Sequence, residues 1–139
     1  MRIEVYQEPK PLKRHRFYRG KVYDPSKKDK EKFAWIVKKL MGDREPFTEN
    51  LRVKLLYHMK IPSSYSEGRK RDLKGRVHDK RPDLSNLIKF TEDALNGVLW
   101  ADDALISSIF AMKIYGEVPK TVIEVIENPI KEKSNEVNG

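Results

Sequence analysis

The chain has 139 residues, no cysteine, and 29 lysines and arginines against 21 aspartates and glutamates, a formal net charge of +8. That length fits one domain, and the missing cysteines exclude disulfides and thiolate metal sites. No run approaches the roughly 18 apolar residues of a membrane span and the opening MRIEVYQEPK lacks a signal-peptide core, so the expectation is a cytoplasmic protein, off the membrane, with nucleic acid as its anionic partner.

Residues 2–6 alternate around Ile3 and Val5 and predict a short strand. The following segment is basic, with Lys13, Arg14, Arg16, Arg19 and Lys21. Phe17, Tyr18, Val22 and Tyr23 flank Arg19-Gly20, which predicts a basic hairpin with glycine accepting the turn. Ser26 and Asp29 have the spacing of an acidic capping box. Phe33, Ile36, Val37, Leu40 and Met41 then share one helical face, and Gly42 supplies the stop.

Residues 50–60 alternate strictly. Leu51, Val53, Leu55, Tyr57 and Met59 point to one side, and Arg52, Lys54, Leu56, His58 and Lys60 to the other, which predicts a strand with one buried face. Residues 61–82 carry Pro62, Gly68 and Gly75 and read as a loop. Within it, Arg69, Lys70, Arg71, Lys74, Arg76, Lys80 and Arg81 stand against only Asp72 and Asp79. A loop this long and this basic suits a surface that orders on DNA.

Residues 83–96 predict a second helix, with Leu84, Leu87, Ile88, Thr91 and Leu95 inward and Asn86, Lys89 and Asp93 on another face. Two strands follow over 105–115 and 120–127, joined around Gly116 and Pro119. The fold class is therefore α+β: a mixed β-sheet with helices packed on one face. One domain is expected over residues 1–127, with a polar, fraying tail over 128–139.

The chemistry concentrates between His78 and Asp103, which reads HDKRPDLSNLIKFTEDALNGVLWADD. Asp83 is either the cap of its helix or a free acid. Asp102 and Asp103 are either a solvated turn or acids returned to the helix start by an antiparallel path. Together Asp83 and Asp103 meet the minimum that Mg²⁺ asks of a protein, one or two carboxylates plus water and substrate phosphate. Lys89 either stabilises charge on a reacting phosphate or pairs with Asp93 one turn on. The three histidines, 15, 58 and 78, lack zinc spacing, and there is no P-loop.

At Arg81-Pro82-Asp83-Leu84-Ser85-Asn86-Leu87-Ile88-Lys89, Asp93-Ala94-Leu95 and Trp100-Ala101-Asp102-Asp103, the chain resembles the RusA family of crossover (Holliday) junction endodeoxyribonucleases. The basic segment from Lys13 to Pro25 is similar to that family's entry hairpin, and the likeness runs from about residue 7 to 127. The resemblance implies a homodimer acting on branched DNA in recombination and repair, where it binds four-way junctions and makes two symmetric nicks with Mg²⁺. It makes Asp83 and Asp103 metal-binding carboxylates, Lys89 the catalytic lysine, and Asp102 a further candidate ligand. The basic residues of the hairpin and of the 69–81 segment become the DNA-binding surface. Phe90, Leu99, Trp100 and Phe110 are candidates for either the dimer surface or the core. One position departs: Ser85 stands where the family pattern has a second aspartate. A neutral hydroxyl is a weak Mg²⁺ ligand, so the alternative is a junction-binding protein with weakened chemistry.

Overall fold

A computed structural model describes residues 1–128. In chain order it contains β1 (Arg2–Val5), β2 (Arg16–Tyr18), β3 (Lys21–Tyr23), α1 (Lys27–Met41), β4 (Leu51–Lys60), α2 (Glu67–Leu73), α3 (Leu84–Leu95), a 3₁₀ turn (Asp103–Leu105), β5 (Ile106–Gly116) and β6 (Lys120–Glu127). The α+β expectation holds. β1, β6, β4 and β5 form one mixed sheet in that order, with β4–β5 parallel and the other pairs antiparallel. β2 and β3 form a separate hairpin.

β4 is central because its alternation is the cleanest in the chain. Leu51, Val53, Leu55, Tyr57 and Met59 are buried under the helices, and the intervening side chains are exposed or half-buried. β6 pairs with β4 rather than with β5, so the turn through Gly116 and Pro119 carries the chain across β4. Gly116 is required there: a Cβ on it would lie 2.6 Å from the Cβ of His58.

The helices share one face of the sheet and meet edge to face at Phe33 and Phe90, 5.7 Å between ring centres. In α1, Phe33, Val37 and Met41 are buried, but Leu40 is exposed. The expected capping box is absent. Ser26 keeps its cap position but makes no side-chain cap bond; its hydroxyl accepts from the Lys13 backbone N–H (2.9 Å). That bond fastens the basic hairpin's root to α1. In the expected 61–82 loop a short helix, α2, starts at Ser66, whose hydroxyl accepts from the Arg69 N–H (3.2 Å). Its sequence, EGRKRDL, has no apolar stripe, and none of its residues is buried. Asn128, the first residue of the expected tail, donates to the Asn50 carbonyl (2.7 Å), and 129–139 lie outside the described residues.

α3 buries Leu87, Phe90, Thr91, Ala94 and Leu95, while Leu84 and Ile88 sit half-buried beside the core. Its direction follows from two contacts. Tyr57, late in β4, donates its hydroxyl to the Leu87 carbonyl (3.0 Å) and lies 2.8 Å from the Thr91 hydroxyl. Trp100, just past the end of α3, bridges to Phe47, just before β4 begins. α3 therefore runs antiparallel to β4 and spans it. Burial pushes the Tyr57 phenol far above its ordinary value, so it remains a donor at any ordinary pH. Tyr57→Phe is expected to cost about 1 kcal/mol of stability in urea titration, since Thr91 keeps its own bond to Leu87. A cost near zero would mean that the phenol does not fasten helix to strand.

Candidate active site

Asp83 occupies the N-cap position of α3 in an extended conformation, yet its carboxylate makes no cap hydrogen bond. Its carbonyl accepts the Asn86 and Leu87 N–H groups (3.1 and 3.3 Å), leaving the side chain free. Lys89 does not form the pair with Asp93 that the spacing allows. Asp93 instead lies 3.9 Å from Lys30, and neither Asp83 nor Lys89 has an ion pair among the described residues. α3 thus presents a free acid at its mouth and a free ammonium about a turn and a half further on. Ser85, in the first turn, is exposed and adds only a hydroxyl.

One residue here was not singled out from sequence. Lys113 of β5 donates its ammonium to the Pro82 carbonyl (2.8 Å) and to the Lys80 carbonyl, which holds the segment entering Asp83. Lys113 pairs in register with Tyr57, so it lies on the helix-covered face of the sheet. The signal was a lysine at an inward position, between Ala111 and Tyr115.

Asp102 and Asp103 lie at the opposite end of α3. The Asp103 N–H donates to the Asn96 side-chain oxygen (2.9 Å), and Asp102 accepts from the Ala104 N–H (2.9 Å) to start the 3₁₀ turn. Acids crowd here. Burial, then Asp102 and Asp93, push the Asp103 carboxyl above its ordinary value. Burial, then Asp103 and Asp93, do the same to Glu92.

The antiparallel return that would bring Asp103 to the helix start does not occur within one protomer. Asp83 and Asp93 are ~15 Å apart along α3 at 1.5 Å per residue, and Asp103 belongs to the Asp93 end. A shared Mg²⁺ would need both carboxylates within about 2.1 Å. Among the described residues, no group of three or more histidine, aspartate or glutamate side chains is placed to hold a metal. The donors are hard oxygens of the kind that suit Mg²⁺, but a single protomer holds them at opposite ends of α3.

The basic segments flank the α3 mouth differently. Lys13, Arg14, Arg16, Arg19 and Lys21 are all exposed on or beside the hairpin. In the second segment, Arg69 stacks on Tyr65 (3.6 Å), Lys70 pairs with Glu67 (3.4 Å) and Lys74 with Glu117 (2.7 Å). Arg71, Arg76, Lys80 and Arg81 have no ion pair among the described residues.

A family model described as Endodeoxyribonuclease RusA matches residues 7–126. The chain belongs to the RusA endodeoxyribonuclease family. It is also similar to a Bacillus subtilis (strain 168) protein described as uncharacterized protein YqaN, 26% identical over 138 residues, covering 91% of this chain and 96% of the relative. The RusA match contains Asp83, Lys89, Asp102, Asp103 and both basic segments, so each lies inside the unit that defines the family. No helix among the described residues is long and apolar enough to cross a membrane.

The crowding around Asp103 gives this RusA protein a stability signature. A carboxyl whose folded pKa is raised costs stability once pH exceeds its unfolded value, and the cost disappears as pH falls through that value. Asp103→Asn is expected to raise the Tm near pH 7, with the difference from wild type shrinking below about pH 4. A variant Tm at or below wild type at neutral pH would show that the repulsion is not felt in solution.

Proposed function

We propose that the protein is a Mg²⁺-dependent endonuclease that resolves four-way (Holliday) DNA junctions by paired symmetric nicks, in recombination and repair. It acts as a homodimer whose two active sites are each shared between protomers. The observation that carries this reading is the placement of Asp83 and Asp103 at opposite ends of α3. The family is one of DNA hydrolases, the acids are present, and a lone protomer cannot bring them to one ion.

The sheet offers a way to do so. β5 is an edge strand. Its outer side is occupied near Lys113 and Tyr115, where Gly75, Arg76 and His78 exchange backbone hydrogen bonds with it (2.8–3.0 Å). Nearer its start, around Ile109 and Ala111, that side has no partner strand among the described residues. Two copies pairing antiparallel through this stretch would lay the start of one β5 beside the end of the other. Asp103 opens the 3₁₀ turn that leads into β5, and Lys113, towards the end of β5, holds the Pro82 carbonyl next to Asp83. The partner's Asp103 would then approach Asp83. Phe110 and Met112, 58% and 38% exposed, lie on the open face of the same strand and would be covered near the two-fold axis. Phe90, Leu99 and Trp100 are fully committed to the core, which leaves Phe110 as the interface candidate among the four.

In such a site Asp83 and Asp103, with Asp102 beside them, would hold the ion, and Lys89 would set a fixed positive charge against the phosphate. The ion, when bound, would activate water and offset charge on the phosphodiester. The exposed cations of the hairpin and of the 69–81 segment would track the DNA backbone. A two-fold dimer matches a substrate with paired strands to cut.

Complementation tests the sharing. Asp83→Asn and Asp103→Asn should each lose cleavage by on the order of a hundredfold or more while still binding junctions. Mixed and re-annealed, the two variants should regain single nicks, because one of the two sites in each heterodimer receives both acids. No recovery from verified heterodimers would mean that each site is built within one chain, and the shared arrangement falls.

Ser85 supports a second reading. It is exposed at the mouth of α3 with no carboxylate in its place, so the protein would bind junctions with weakened chemistry. Ser85→Asp separates the two. A gain of tenfold or more over an almost inactive wild type, roughly 1.4 kcal/mol in the barrier, supports the weakened enzyme. An already active wild type with no gain supports the working nuclease.

A further inference from the structure

The hairpin of β2 and β3 is open to solvent on both faces: all six of its strand residues are exposed. Phe17 and Val22 are directly opposite in register and so lie side by side on one face, 73% and 65% exposed. Phe17 is the most exposed large apolar side chain among the described residues. The other face carries Arg16 opposite Tyr23 and Tyr18 opposite Lys21, with Arg19 stacked over Tyr18 at 5.3 Å. From Lys10 to Tyr23 there are six lysines and arginines and no acid. An apolar pair on one face of a hairpin whose other face and flanks carry the cations is matched to one partner chemistry, an aromatic surface bordered by phosphates.

Nucleic acid has that chemistry, but an unbroken duplex does not offer it. Its base faces are stacked and only base edges reach the grooves. A four-way junction ends its helices at the branch point, where the faces of terminal base pairs can be reached. Apolar side chains wedge between such steps, and aromatic rings stack on bases with little regard to sequence. The rest of the hairpin supplies the phosphate contacts that would hold a wedge in place.

We propose that Phe17, backed by Val22, stacks on an exposed base pair at the branch point, and that the hairpin is thereby the element that separates a junction from a duplex. This rests on the junction reading above and names the residue that confers the selectivity. Phe17 is a specificity residue at a distance from the acids, so binding reports it without cleavage.

The test uses the full chain in EDTA, with a labelled four-way junction and a duplex of equal length, and a second junction carrying 2-aminopurine at the branch point. Wild type should prefer the junction and brighten the 2-aminopurine as Phe17 takes the place of its stacked neighbouring base. Phe17→Ala should lose about tenfold in junction affinity, keep its duplex affinity and leave the probe dark, while Phe17→Trp should restore the junction affinity. Arg16→Ala with Arg19→Ala should instead weaken both DNAs together and flatten the salt dependence. Wild-type preference with an unchanged Phe17→Ala overturns the wedge alone. A wild type with no preference for junctions removes the junction reading and the wedge with it. A change in oligomeric state on Phe17→Ala, seen by sedimentation, would assign the exposed pair to a second copy and also overturn the proposal.

Discussion

The antiparallel seat of α3 on β4 determines where every chemical group of this protein lies. It is fixed at one end by the Tyr57 hydroxyl against Leu87 and Thr91, and at the other by the Phe47–Trp100 bridge and the buried Leu95 and Leu99. The two fastenings are different in kind. The first is a small polar network inside an apolar core, where every group must stay paired because an unpaired one costs about 1–3 kcal/mol. The second is aromatic and aliphatic packing, which tolerates small adjustments. α3 can therefore neither rotate nor slide without breaking one or opening the other. Its twelve residues, near 18 Å at 1.5 Å each, become a rigid spacer between Asp83 and the acids beyond Asn96.

Much of this frame was legible in the sequence because it rests on burial with a regular period. The alternation from Leu51 to Met59 gave β4 residue for residue, and the 3.6-residue stripe gave α1 and α3 within a residue or two. The departures arise where polar partners, not apolar periodicity, decide the structure. α2 has no apolar face, so periodicity is silent there, and only its Ser66 cap marks it. Ser26 had the right spacing for a capping box, but its hydroxyl was taken by the Lys13 backbone, a partner thirteen residues away. Lys113 is hidden in the sequence because a lysine at an inward strand position reads as a break in the pattern. The structure shows what makes it tolerable: two backbone carbonyls, at Lys80 and Pro82, receive its ammonium.

The acids were legible as residues and not as a geometry. Motif spacing places Asp83 and Asp103 twenty positions apart, and a turn at Asn96-Gly97 is compatible with a path that doubles back to the helix start. Leu99 and Trp100 decide against it. Both are completely buried, and burying them commits the chain to the Leu95 end of α3 before Asp102 is reached. A local pattern cannot reveal this, because the deciding contact is with Phe47, on the far side of β4 in sequence.

The charge distribution follows the same division. At the mouth of α3 cations outnumber acids: Lys80, Arg81, Lys89 and Lys113 stand on the elements around Asp83, against Asp79 and Glu8. At the far end carboxylates predominate over Lys30: with burial, Asp102 and Asp93 raise the proton affinity of Asp103, and Asp103 and Asp93 raise that of Glu92. Each end is electrostatically unbalanced alone, and each carries the charge that the other lacks. A two-fold pairing that joins unlike ends would relieve both imbalances at once, and a pairing that joined like ends would worsen both. On the shared-site reading, the same repulsion that destabilises the lone protomer would favour the correct alignment of two, and hydrolysis would wait on assembly. On that reading, a nuclease making paired nicks would have a physical reason to be built this way, since half a dimer would have no complete site with which to make an unmatched nick.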